Sequence, residues 1–101
     1  MLKLKPEVVR KYELIFIFDS KQNNFESSLE NTKNLFSNSG IEILKESDMG
    51  KKQLAYEVKK NTTGHYVAFE LMVLPSKVIE IKNELNLDTN ILKFMFVNLD
   101  K

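Results

Sequence analysis

The chain has 101 residues, of which 43% are hydrophobic and 29% charged, so it falls among folded single domains and outside the disordered class. It contains no cysteine, which excludes a disulfide framework and a thiolate metal site. Its formal net charge of +1 excludes a chain-wide attraction to nucleic acid; such a role needs a local cluster of charge or a more basic partner.

Residues 1–9 (MLKLKPEVV) lack the apolar core and cleavage site of a signal peptide and read as an N-terminal extension. The longest apolar run, Leu14 to Phe18, is far short of the roughly 20 residues that span a bilayer, so no membrane partner is expected and a cytoplasmic setting is the simplest one.

Lys11 to Phe18 (KYELIFIF) reads as a strand with Asp19 and Ser20 as its stop. It turns apolar on both faces at Ile15 and Ile17, which predicts a central strand. From Asn24 to Ser39 the period becomes helical, with Phe25, Leu29, Thr32 and Phe36 on one stripe and Leu35 beside it. Asn23 or Asn24 can cap its start, and Gly40 stands where a C-terminal glycine belongs.

A second strand begins at Ile41 and can continue to Lys60, with a bulge or kink expected at Met49-Gly50. In its later half Leu54, Tyr56 and Val58 share a face with Lys52 and Lys60, while Lys51 and Lys59 share the other. Asn61 to Gly64 has turn composition, and His65 to Leu74 reads as a third strand with Val67, Phe69, Leu71 and Val73 toward a core. Pro75-Ser76 opens a second helix with Val78, Ile81 and Leu85 on its apolar stripe. Ile91 to Val97 (ILKFMFV) is the last strand.

The order β-α-β-β-α-β predicts an α+β, ferredoxin-like domain over residues 10–98, with residues 99–101 as a short tail. The expected architecture is a four-stranded antiparallel sheet with two helices on one face and the first and third strands in the middle. Two helices cover one sheet face only. With Leu14, Phe16, Phe69, Leu71, Phe94 and Phe96 beneath them, Ile15, Ile17, Tyr66, Ala68, Met72, Met95 and Val97 form an uncovered face. That face is apolar enough to suggest a partner-binding surface.

The residues offer little for catalysis. His65 is the only histidine, without the companions a metal site needs, and reads as a surface or turn residue. Asp19, Asp48, Asp88 and Asp100 fall at element ends, where capping and turn formation explain them. No phosphate loop, nucleophile elbow or zinc-protease motif is present, so no enzyme activity, cofactor or metal is expected. Base stacking on the third strand gains little support, because Tyr66 is its one aromatic on the open face.

The lysine pairs Lys51-Lys52 and Lys59-Lys60 fit two readings. Lysines protect a sheet edge from aggregation, and they also bind phosphates without reading sequence. The residue pattern alone leaves both open.

Four segments, RKYELIFIFD, GKKQLAYEVKK, GHYVAFEL and NILKFMFV, resemble the ribosomal protein S6 family of the bacterial small subunit over about Val9 to Asn98. Gly50, Lys52, Gln53, Leu54, Ala55 and Tyr56 carry the most specific match, and Arg10 to Glu13 the second. Met49 stands where the family usually has Trp, Lys52 where Arg is common, and Val58 where Ile is common. The extension of about nine residues is unusual for the family, and no long charged tail follows Lys101. The resemblance implies a non-enzymatic protein that pairs with ribosomal protein S18 as a heterodimer and binds the central domain of small-subunit ribosomal RNA. On that implication, the expected RNA contacts are Arg10, Lys11, Lys51, Lys52, Lys59, Lys60 and Lys93. The competing class is a ferredoxin-like regulatory or self-assembling domain that binds a small ligand or protein through its open sheet face.

Overall fold

A computed structural model describes residues 8–99. The expectations for residues 1–7 and for Asp100 and Lys101 lie outside the described residues. The elements are β1 (Arg10–Asp19), α1 (Gln22–Asn38), β2 (Glu42–Val58), β3 (Asn61–Val73), α2 (Pro75–Leu85) and β4 (Ile91–Asn98). All strand pairs are antiparallel and the sheet order is β2-β3-β1-β4, so the ferredoxin-like arrangement holds, with β1 and β3 central.

The alternation in β1 sets the core. Tyr12, Leu14, Phe16 and Phe18 point under the helices and meet Val67, Phe69, Leu71 and Val73 of β3. Phe16 stacks on Phe18 at 4.9 Å and meets Phe69 edge-on at 5.8 Å. Phe25 and Phe36 of α1 and Ile81 and Leu85 of α2 close the layer from above. Phe94 and Phe96 pack against it from β4, partly buried. Each fully buried side chain of this size contributes about 1.5–3 kcal/mol of transfer free energy.

Helix α1 ends as its sequence suggests. Gly40 takes φ +69°, its N–H bonds to the Ser37 carbonyl at 3.2 Å, and the Ile41 N–H bonds to the Phe36 carbonyl at 2.9 Å. That double closure is the Schellman arrangement, which needs a residue tolerant of positive φ.

Its start differs from expectation. The helix begins at Gln22, two residues before Asn24, and no side chain caps it at the Lys21 position. Asp19 organises the approach instead. Its carboxylate accepts hydrogen bonds from the Lys21 N–H at 3.0 Å and from the Asn24 side chain at 3.2 Å.

The hairpin between β2 and β3 also departs from expectation. Asn61 to Gly64 is strand, and the turn is Lys59-Lys60 alone, with φ of +48° and +65°. A two-residue turn of type I′ has positive φ at both positions, and its twist matches that of the strands. Asn and Gly usually supply it, and here two lysines do.

Candidate nucleic-acid interface

Strand β2 is the outer strand on one side of the sheet, and no residue in it is buried. Its path is set by a few local devices. The first is the bulge expected at Met49-Gly50. Gly50 has φ +81°, and the register with β3 shifts between Asp48 and Gly50. The Asp48 carboxylate accepts the Gly50 N–H at 2.9 Å and binds His65 Nε2 at 2.6 Å. The His65 ring lies flat on Phe25 of α1, with centroids 3.6 Å apart. His65 is therefore a mostly covered strand residue, because β3 starts four residues earlier than its turn composition suggests, and not a surface or turn histidine. Partial burial pushes the Asp48 carboxyl up, but the hydrogen bonds from His65 and Gly50 and the His65 charge outweigh it. The net effect holds the carboxyl below the usual aspartate value.

Beyond the bulge, Lys51 and Lys52 pair with His65 and Gly64 and so fall on opposite faces, as the alternation predicts. Lys51 stands on the helix side. Lys52 stands on the open face, its ammonium 5.6 Å from the centroid of Tyr66.

A second device brings the end of the hairpin across the sheet. Gly64 leaves a gap that Ile17 of β1 and Leu54 of β2 fill. A Cβ there would sit 2.4 Å from Ile17 Cγ2 and 3.3 Å from Leu54 Cδ2. The register then slips between Gln53 and Val58. Strands β2 and β4 are at opposite edges of the sheet, yet Lys93 Nζ of β4 donates to the Tyr56 hydroxyl, and Lys59 Nζ donates to the Ile91 carbonyl at 3.1 Å. The hairpin end thus folds over one end of the open face and is clasped to β4.

This geometry sorts the expected RNA-contact residues into two groups. Lys51, Lys52, Lys59, Lys60 and Lys93 belong to the hairpin half of the sheet, Lys59 and Lys60 in the turn, Lys52 and Lys93 on the open face and Lys51 on the helix side. Arg10 and Lys11 sit opposite Val73 and Met72, at the other end of the sheet. Eight residues of β3 separate Met72 from Gly64, a distance of about 25 Å at the usual rise per residue. Lys11 is also paired with Glu70 at 3.3 Å.

The expected placement of Lys59 and Lys60 on opposite strand faces is incorrect. Both belong to the turn, and the Lys59 ammonium holds β4. The seven expected partner-face residues do share the open face, flanking Glu13, Glu70 and Lys11. Met95 is 57% exposed, whereas Ile17 is tucked under Leu54 and Tyr66 under Lys52.

From the sequence, Tyr56 is expected on a sheet face and carries part of the family resemblance, but it is not among the expected contact residues. In the structure it is 62% exposed, against 9% for Tyr12, and its hydroxyl accepts from the Lys93 ammonium. The missed signal was Gly64, whose lack of a side chain lets Leu54 anchor the strand. The polar contacts of Asp48 and His65 left no pattern in the sequence at all. Among the described residues no cluster of His, Cys, Asp or Glu could hold a metal ion, and no helix is long and apolar enough to cross a membrane.

Comparison with known proteins adds to this geometry. The family model for ribosomal protein S6 matches residues 11–98. The small ribosomal subunit protein bS6 of Treponema denticola is 33% identical over 92 residues, covering 91% of this chain and 99% of that one. The bS6 of Acidothermus cellulolyticus is 32% identical over 94 residues, with 91% and 98% covered. Among solved structures, the 30S ribosomal protein S6 of Thermotoga maritima superposes with a TM-score of 0.80 at 24% identity, covering 89% of this chain and 87% of that one. The C-terminal domain of the MgtC protein from Mycobacterium tuberculosis has a TM-score of 0.54 at 13% identity, over 94% and 93% of the two chains. Both structural likenesses are of fold.

Proposed function

The chain belongs to the ribosomal protein S6 family, and from that premise we propose that it binds the central domain of small-subunit ribosomal RNA as a heterodimer with ribosomal protein S18. A member of this family is a structural, non-enzymatic component of the small ribosomal subunit, and so of the cytoplasmic ribosome. The RNA domain and the partner are what the family resemblance implies, and the hairpin lysines and the open sheet face support them.

The observation that carries the proposal is the hairpin end. Lys59 and Lys60 form its turn, Lys52 and Lys93 stand on the open face beside it and Lys51 on the helix side, on a protein whose net charge is only +1. Edge protection explains lysines along β2. It does not explain two lysines held at positive φ in the turn, a conformation that costs a non-glycine residue about 1–2 kcal/mol. Phosphate contact favours charge at that point and gives a reason to keep it. Beside the hairpin, the open sheet face offers Ile15, Ala68, Met72, Met95 and Val97 to a protein partner. A partner bringing further positive charge supplies what a net charge of +1 lacks.

The test is binding to a central-domain rRNA fragment over a salt series, with and without S18. Weak binding alone and tight, salt-sensitive binding by the pair is the expected result. Absent or salt-independent binding in both cases overturns the proposal. Replacing both Lys51 and Lys52 by Ala is expected to lower the salt slope by about 1–2. Stability should stay within about 0.5 kcal/mol, because both side chains are exposed.

A further inference from the structure

We propose that Tyr56 is a stacking platform for one unpaired RNA base, so that the hairpin end engages single-stranded rather than duplex RNA. This rests on the RNA-binding reading above and gives it a more specific ligand.

Three observations support it. First, Tyr56 is the most exposed of the three tyrosines, at 62%. Tyr12 is buried in edge-on contact with Phe96, and Tyr66 is half-buried beneath Lys52. An exposed ring is ordinarily free to rotate and loses that freedom when it binds. Here its hydroxyl is already held by Lys93. Because that ammonium is bonded to the phenolic oxygen, it sits at the rim of the ring, 4.9 Å from the centroid, and does not cap the centre of a ring face.

Second, the backbone beneath Tyr56 is fixed on both sides. Leu54 is seated over Gly64 against Ile17, and Lys59 ties the turn to the Ile91 carbonyl. Third, Lys52 and Lys60 stand four residues to either side of Tyr56 in the chain, both exposed, and supply positive charge for the backbone of a strand whose base stacks on the ring. A rigid aromatic ring between cations is the arrangement that binds single strands, since every base has a π-face to offer. In a duplex the bases are already stacked and paired, and the ring has nothing to receive.

The experiment compares wild type, Tyr56→Ala, Tyr56→Phe and Tyr56→Trp at low salt. Each is titrated with a short single-stranded RNA, with the same strand annealed to its complement, and with single strands carrying one abasic position. The partner protein S18 is titrated in parallel.

Tyr56→Ala is expected to weaken single-strand binding about 5- to 150-fold, the equivalent of one lost stack. Duplex binding should be unchanged. Tyr56→Trp should bind the single strand as tightly as wild type or tighter, and Tyr56→Phe should keep most of the affinity. That rescue separates stacking from a merely structural clasp, because Phe and Trp both lose the hydroxyl bond to Lys93. For the wild type, one abasic position should reproduce the loss seen with Tyr56→Ala.

The inference is overturned if Tyr56→Ala binds the single strand as wild type does, if Trp and Phe fail as badly as Ala, or if the alanine variant loses only S18. Wild-type binding to duplex and single strand alike, with no effect of Tyr56→Ala, removes the platform and leaves the RNA-binding reading standing. Failure of the wild type to bind either RNA removes both.

Discussion

Strands β1 and β2 make opposite use of the same backbone. In β1 every second side chain from Tyr12 to Phe18 is buried, and Leu14, Phe16 and Phe18 are wholly inaccessible to solvent. In β2 none of the 17 residues is buried. Packing therefore fixes the course of β1. Beyond its pairing with β3, that of β2 is fixed by single contacts: a glycine bulge, one carboxylate, an ion pair from Glu46 to Lys33, a gap over Gly64 and two lysine tethers. A strand held this way is free to carry lysines and an exposed tyrosine, and the family's work is expected there. Substitutions in β1 should thus report on stability, and substitutions in β2 on binding, with Gly64 as the place where the two strands are coupled.

The largest effect is expected at Phe16. Its ring contacts Phe18, Phe69 and Phe94 and is fully buried. Phe16→Ala should lose about 3–5 kcal/mol in denaturant unfolding. At a temperature where the variant remains folded, its RNA affinity should equal that of wild type. A loss of affinity in the folded variant would show that the core and the hairpin are not separable.

Gly64→Ala comes next. The glycine is extended, so its backbone is unstrained and the obstacle is space. The new methyl would collide with a β-branched side chain that has little freedom to turn away. A loss of about 1–3 kcal/mol is expected, together with release of Leu54 and weaker RNA binding. A variant that loses stability but binds RNA normally would break the proposed link between the two strands.

Lys60→Gly should move stability and binding in opposite directions. Relief of the positive φ is expected to raise stability by about 0.5–1 kcal/mol, after the entropic cost of glycine. Loss of the ammonium should lower the salt slope of RNA binding by about 1. A variant that gains stability and keeps its affinity would show that Lys60 makes no phosphate contact.

These contrasts also explain what the sequence could reveal. The period-two alternation of β1 and β3 and the helical stripe ending at Gly40 come from burial, and burial leaves a pattern. Element order, sheet order and the open face were legible for that reason. The hairpin turn was misplaced because Asn61-Thr62-Thr63-Gly64 has the composition of a turn, while Lys59-Lys60 adopts the turn against its local preference. The start of α1 was misplaced for a related reason: Asp19 holds it from three residues upstream, and Asn24 joins in only as a donor to that carboxylate. The grouping of Lys93 with Tyr56 was hidden as well. Strand order puts β2 and β4 at opposite edges, and only the slip after Gln53 brings them together.

The smallest expected effect concerns the bulge and depends on pH. The Asp48 carboxyl is held below its ordinary value, chiefly because the bonds from His65 and Gly50 overcome the opposing effect of burial. As pH falls, the unfolded chain therefore takes up this proton first, near the unperturbed aspartate value of about 3.9. The stability contributed by the carboxylate is fully present above that value and is lost as pH falls through the lower, folded-state value. Asp48→Asn keeps an oxygen for the Gly50 N–H and removes the titrating group. The stability gap between wild type and variant, measured by urea unfolding at a series of pH values, should be open at about pH 5 and close below about pH 4. The carboxylate is half exposed, so the gap will be small. A gap that stays constant through this range would mean that the backbone of Gly50 alone shapes the bulge. The Asp48 carboxylate would then be dispensable, and the contrast with the packed course of β1 would narrow to the glycines, the Glu46–Lys33 ion pair and the lysine tethers.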